Sequence, residues 1–141
     1  MDPTNTPPRV LLADDDEEIC DLVAASLRGV GFDVTAVTDG GRLLVQIART
    51  YRTERSSESF DLFVSDVRMP ICDGIQILEQ LRSAHWPIAA ILMTAFNDPT
   101  IRAHAHALGA VLFIKPFDLA DLERAALELA SSGASRASRF G

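Results

Sequence analysis

The sequence predicts one α/β domain, a doubly wound parallel sheet of five strands alternating with five helices. Three observations carry that prediction. Four short runs are almost wholly apolar, as strands covered on both faces are, and a fifth alternates polar with apolar residues. The segments between them repeat apolar residues at helical spacing. Turn and cap residues separate the two kinds of segment, so strand and helix alternate along the chain. That order means a parallel sheet with helices on both faces, wound by right-handed crossovers.

Arg9–Ala13 (RVLLA) is the first apolar run and reads as a buried strand. Asp14, Asp15 and Asp16 follow at once. Ile19, Leu22, Val23, Ser26, Leu27 and Val30 then recur at helical spacing, so a helix runs from about Asp16 to Arg28. Asp16 suits the N-cap, Glu17 and Glu18 suit the positive end of the helix dipole, and Gly29 and Gly31 end the helix. Asp33–Val37 (DVTAV) alternates, as an edge strand does, and Asp39-Gly40-Gly41 makes a turn. Leu43, Leu44, Ile47, Ala48 and Tyr51 mark the second helix, and Thr53–Ser59 reads as an extended surface loop.

Phe60–Ser65 is the third strand and Asp66–Gly74 the loop after it. Ile77, Leu78 and Leu81 give the third helix. Ser83–Pro87 is a connection holding Trp86, expected at the far end of the sheet. Ile88–Met93 is the fourth strand and ends in Thr94. Asn97-Asp98-Pro99 starts the fourth helix, which stops at Gly109. Ala110–Ile114 is the fifth strand and ends in Lys115-Pro116. Asp118 caps a last helix carrying Leu119, Leu122, Ala126 and Leu129.

Length and composition agree with this reading. A chain of 141 residues, 48% hydrophobic, fits one domain with a proper core. Residues 1–8 read as a disordered lead-in without a secretory signal, 9–130 as the domain, and 131–141 as a flexible tail or linker start. The net charge of -7 argues against direct nucleic-acid binding and against an anionic membrane surface. Cys20 and Cys72 form no motif, and a reducing cytoplasmic setting is the simpler expectation. No apolar stretch is long enough to span a membrane.

The chemistry lies at the strand ends. In a parallel sheet all C-terminal ends share one edge, where open α/β sheets bind ligands. Strand one delivers Asp14 and Asp15 there, strand three Asp66, strand four Thr94 and strand five Lys115. Two carboxylates at ~4 Å repel by about 4 kcal/mol at an effective dielectric of 20, so the cluster calls for a cation. Oxygen ligands without His or Cys favour Mg²⁺ over zinc. A metal, a carboxylate nucleophile, a hydroxyl and an ammonium suit phosphoryl transfer onto Asp66. His85, His104 and His106 read as solvated or helix-face residues. Cys72 reads as passive.

This motif set resembles the receiver domains of bacterial two-component response regulators, of the chemotaxis-regulator type. The matching residues are Asp14-Asp15 after VLLA, Asp66 with Met69-Pro70 and Asp73-Gly74, Thr94-Ala95, and Lys115-Pro116-Phe117. The resemblance covers about residues 9–130. It implies a flavodoxin-like fold with strand order 2-1-3-4-5. It implies that Asp66 is the phospho-acceptor, that Asp15 and Asp66 ligate Mg²⁺ directly and Asp14 through water, and that the backbone carbonyl of Arg68 completes the protein ligands. Thr94 would hydrogen-bond the phosphoryl group, Lys115 would pair with it, and Lys115–Pro116 would be cis. The donor would be a sensor histidine kinase or a histidine phosphotransfer protein. The helix 4–strand 5–helix 5 face would serve docking or a homodimer.

Departures from the family pattern carry expectations of their own. Leu112 stands where receivers often have an aromatic that couples to the threonine, and Phe113 should face the other way. Arg68 and Phe96 flank the path of an attacking water. Phe96 cannot orient water and Arg68 could cover the phosphoryl group, so self-dephosphorylation should be slow. Two other functions compete: an aspartyl-phosphate phosphatase, which usually needs an acid where Arg68 stands, and a pseudo-receiver that is never phosphorylated.

Overall fold

A computed structural model describes residues 6–52 and 60–140. Strands β1 (Arg9–Ala13), β2 (Asp33–Val37), β3 (Leu62–Asp66), β4 (Ala89–Thr94) and β5 (Val111–Ile114) alternate with helices α1 (Glu17–Gly29), α2 (Gly40–Arg52), α3 (Gly74–Ser83), α4 (Pro99–Ala107) and α5 (Leu119–Phe140). The strands form one sheet in the order β2-β1-β3-β4-β5, every pair parallel. This is the flavodoxin-like order that the resemblance implies, and DVTAV is an edge strand as its alternation predicts.

The two-residue period of the strands divides the core into two layers. Leu11, Phe63, Ala90 and Leu92 face one way, against Leu43 and Ile47 of α2, Ile77, Leu78 and Leu81 of α3, and Ile101 and Ala105 of α4. Val10, Leu12, Leu62, Val64, Ile91 and Met93 face the other way, against Cys20, Val23, Ala24 and Leu27 of α1 and Leu122 and Ala126 of α5. β3, central in the sheet, is buried at all five residues.

Caps fix the helix starts that matter for the edge. Asp16 accepts from the amides of Glu18 and Ile19. Asp73 and Gln76 form a capping box at α3. Asp98 accepts from the Thr100 amide at 2.8 Å, with Pro99 in the first turn of α4. Asp118 accepts from the Ala120 amide at 3.0 Å.

The structure moves several boundaries. β3 starts at Leu62 and ends on Asp66, so Asp66 is the last strand residue rather than the first of the loop. Its residue pairs with Met93, and ladder pairing keeps it extended. Asp39-Gly40-Gly41 is the start of α2 rather than a free turn, because the Asp39 carboxylate accepts from the Arg42 amide at 2.7 Å. α1 ends one residue later than expected, at Gly29, and Gly31 takes a φ of +104° just beyond it. α5 continues to Phe140, past Ser131, where the sequence reading places a flexible tail. β5 is less covered than an apolar strand in a two-sided layer: Val111 is exposed and the other three residues are half-buried, because β5 is the second edge. The loop expected at Thr53–Ser59 lies outside the described residues.

Candidate functional site

Asp14 continues β1 by one ladder bond, its amide donating to the Val37 carbonyl at 3.2 Å. Its side chain is fully buried, while Asp15 beside it is exposed. The Asp14 carboxylate accepts from the Asp16 amide at 3.0 Å, which holds it at the edge of the sheet. Asp66 arrives from β3, adjacent to β1, and is 9% exposed. The chain then turns sharply. The Val67 amide donates to the Met93 carbonyl at 2.7 Å and the Gly74 amide donates back to the Val67 carbonyl at 2.9 Å. A Cβ on Gly74 would lie 2.5 Å from the Asp66 carbonyl oxygen and 2.8 Å from Ser65 Oγ, so only glycine closes this loop without displacement.

Thr94 ends β4 and is buried; its Oγ1 accepts from the Phe96 amide at 3.1 Å. The Lys115 amide donates to the Thr94 carbonyl at 2.7 Å, and Lys115–Pro116 is cis, as expected. Lys115 Nζ donates to Asp14 Oδ2 at 2.8 Å and stands 3.5 Å from Asp66 Oδ1. One ammonium therefore bridges two carboxylates that are separated by 52 residues in the chain and meet because β1 and β3 are neighbours.

The carboxylates of Asp14, Asp15 and Asp66 each offer an oxygen within 4.8 Å of the others. Burial pushes the Asp66 carboxyl up to about 6; Lys115 opposes the shift, and Asp14 and Asp15 add to it. Burial alone would lower the Lys115 pKa, but the hydrogen bond to Asp14 and the charges of Asp66 and Asp14 outweigh it and raise the value. Three carboxylates facing one ammonium leave the cluster short of positive charge. An all-oxygen donor set of this charge fits Mg²⁺.

Arg68 and Phe96 are both exposed at the mouth, and the Arg68 guanidinium lies 4.5 Å from the centre of the Phe96 ring. Sequence reasoning singles out each residue but misses their contact. The signal is the pairing of Asp66 with Met93, which brings the segments just beyond these two strand ends side by side. Leu112 packs on the α3–α4 side of the sheet, and Phe113 packs on the other side, edge-on to Phe117 at 5.4 Å. Phe113 thus faces away from the Leu112 side, as expected. Cys72 Sγ contacts the Gly40 carbonyl at 3.4 Å, and burial raises the thiol pKa. His85, His104 and His106 are exposed.

The family model for the response regulator receiver domain matches residues 10–127. The chain belongs to this family. It is 33% identical over 115 residues to the transcriptional regulatory protein ZraR of Escherichia coli K12, covering 81% of this chain and 24% of ZraR. It is 32% identical over 111 residues to the DNA-binding transcriptional regulator NtrC of Salmonella typhimurium, covering 78% of this chain and 22% of NtrC. The chain thus spans about a quarter of the length of these relatives. Among solved structures, the Francisella response regulator 1452 receiver domain superposes with a TM-score of 0.77 at 27% identity, covering 89% of this chain and 98% of that one. A CheY-like receiver from Methanospirillum hungatei shares the fold, with a TM-score of 0.79 at 23% identity over 93% and 99% of the two chains. Receiver domains are phospho-acceptor signalling domains of two-component systems, not enzymes in the usual sense. Among the described residues no helix is long and apolar enough to cross a membrane.

Proposed function

We propose that Asp66 accepts a phosphoryl group from a histidine donor, either a sensor histidine kinase or a histidine phosphotransfer protein, and that the modification switches partner binding. The observation that carries this reading is the Lys115 ammonium between Asp14 and Asp66, at 2.8 and 3.5 Å, beside a third carboxylate. Asp66 is the nucleophile: one carboxylate oxygen forms a bond to phosphorus as the phosphorus–nitrogen bond to the donor imidazole breaks, and the imidazole leaves with the bonding pair. Lys115 holds positive charge where negative charge gathers on the phosphoryl oxygens. Thr94 Oγ accepts from the Phe96 amide, which leaves its own proton free to donate to the phosphoryl group. Mg²⁺, held by Asp15 and Asp66 directly, by Asp14 through water and by the Arg68 carbonyl, would supply the remaining positive charge. The protein is expected in the cytoplasm, and the face formed by α4, β5 and α5 is the surface proposed for docking or homodimer formation.

The experiment is incubation with Mg²⁺ and acetyl phosphate, followed by intact-mass analysis. One acid-stable, base-labile phosphoryl group is expected, absent without Mg²⁺ and absent in Asp66→Asn. A pseudo-receiver would gain no mass. A phosphatase would turn over added phosphoesters; the presence of Arg68 where such enzymes need a second acid disfavours that reading.

A further inference from the structure

Arg68 is exposed at the mouth of a site that holds three carboxylates, yet among the described residues it makes no ion pair. Its guanidinium rests instead on the face of Phe96, 4.5 Å from the ring centre. Phe96 is tied to the site a second time, because its amide donates to Thr94 Oγ1 at 3.1 Å. Phe96 is 50% exposed, and two residues later Asp98 caps α4. One residue therefore links the acceptor loop, the strand-end hydroxyl and the start of α4.

We propose that Arg68 and Phe96 form a latch that reads the state of Asp66. In the unmodified protein the guanidinium is parked on the ring. When Asp66 carries a phosphoryl group, the guanidinium leaves the ring for the phosphoryl oxygens. An exposed cation–π contact is a weak interaction, whereas guanidinium–phosphate hydrogen bonds are charge-assisted, paired in geometry and about twice as strong as neutral ones. Arg68 is two residues beyond Asp66, so the transfer needs a change of side-chain rotamer and no refolding. The freed Phe96 ring and the β4–α4 loop are then available to a partner. This route carries the signal out through Phe96 instead of through position 112, where Leu112 offers no aromatic ring.

The latch rests on the acceptor role of Asp66, and its test reports on the two separately. Arg68 side-chain signals are followed by NMR in the full chain with Mg²⁺, before and during exposure to excess acetyl phosphate, with intact mass read in parallel. Before modification the Arg68 Nε–H should show an aromatic ring-current shift, lost in Phe96→Ala. After modification that shift should be lost in the native chain too, with Arg68 moving to a hydrogen-bonded position. In Phe96→Leu the Arg68 signal should reach the same modified position. A ring-current shift that persists in protein shown by mass to be phosphorylated overturns the latch and leaves the acceptor reading standing. Absence of any mass gain overturns the acceptor reading, and the latch with it.

Discussion

Phe96 also bears on how long the phosphoryl group survives. Hydrolysis of an aspartyl phosphate needs a water aligned opposite the leaving carboxylate, and a side chain able to accept a hydrogen bond can hold it there. Phe96 has no such atom, and Arg68 in the modified protein is assigned to the phosphoryl oxygens and offers donors only. A slow loss of phosphate is the expected consequence. Phe96→Glu places an acceptor at the mouth and should shorten the lifetime of the modified protein about tenfold, equivalent to about 1.4 kcal/mol of barrier. Phe96→Leu, still apolar, should leave it within about twofold on the same scale. The check is decay of the phosphoprotein by intact mass, with Mg²⁺ present and the donor removed. An unchanged or longer lifetime in Phe96→Glu would remove the role assigned to Phe96.

At the scale of elements, the turn from β3 into α3 sets the position of Asp66, the proposed acceptor. Gly74 lies against the Asp66 carbonyl and Ser65 Oγ, and that oxygen donates to the same carbonyl at 2.9 Å. Gly74→Ala must displace backbone, because the nearest atom, at 2.5 Å, is a carbonyl oxygen. Overpacking of this kind costs about 1–3 kcal/mol. It should lower the melting midpoint and slow phosphorylation together, since the displaced residue is Asp66 itself. Gly29→Ala is the control: it is in helix α1 with nothing near its missing Cβ, and it should be neutral or stabilising by up to about 1 kcal/mol. Equal loss in both variants, or full activity in Gly74→Ala, would count against the turn as the positioning device. The turn also shows what could be read from sequence. The apolar runs mark out the sheet, because burial on both faces leaves little freedom in composition, and the residues ending them meet at one edge of it. Whether Asp66 ends β3 or opens the loop depends on pairing with β4, which no local pattern contains. The Arg68–Phe96 contact depends on that same register, and the approach of Cys72 to Gly40 depends on the order β2-β1-β3 on the other side of β3. The end of α5 is illegible for a different reason: serines and a glycine read as a tail, and the helix runs on through them to Phe140.

For the whole molecule, the site is a local excess of negative charge within a chain of net charge -7. That excess links folding to protons and to metal. In metal-free protein, burial lifts the Asp66 carboxyl from 3.8 to about 6. The native state then keeps this proton through a pH window in which the unfolded chain has already released it. The contribution of Asp66 to stability is therefore most favourable below about pH 4 and declines as pH rises through about 6. At 1.36 kcal/mol per pKa unit, the shift amounts to roughly 3 kcal/mol at most. Asp66→Asn removes the effect, so without metal it should match the native chain near pH 4 and be the more stable of the two near pH 7.5. A cation bound only by the folded cluster reverses the order of loss: at about 100 times its dissociation constant it adds about 2.7 kcal/mol. Mg²⁺ should thus raise the melting midpoint of the native chain near pH 7.5 by roughly 8 °C, at about 3 °C per kcal/mol for a domain of this size, and that of Asp66→Asn by clearly less. Thermal melts of both chains in EDTA and in Mg²⁺ at the two pH values provide the comparison. If Asp66→Asn shows no advantage over the native chain near pH 7.5 in EDTA, the buried carboxylate is not the strained group; if both chains gain equally from Mg²⁺, it is not a metal ligand; and either result breaks the link between metal, acceptor and stability.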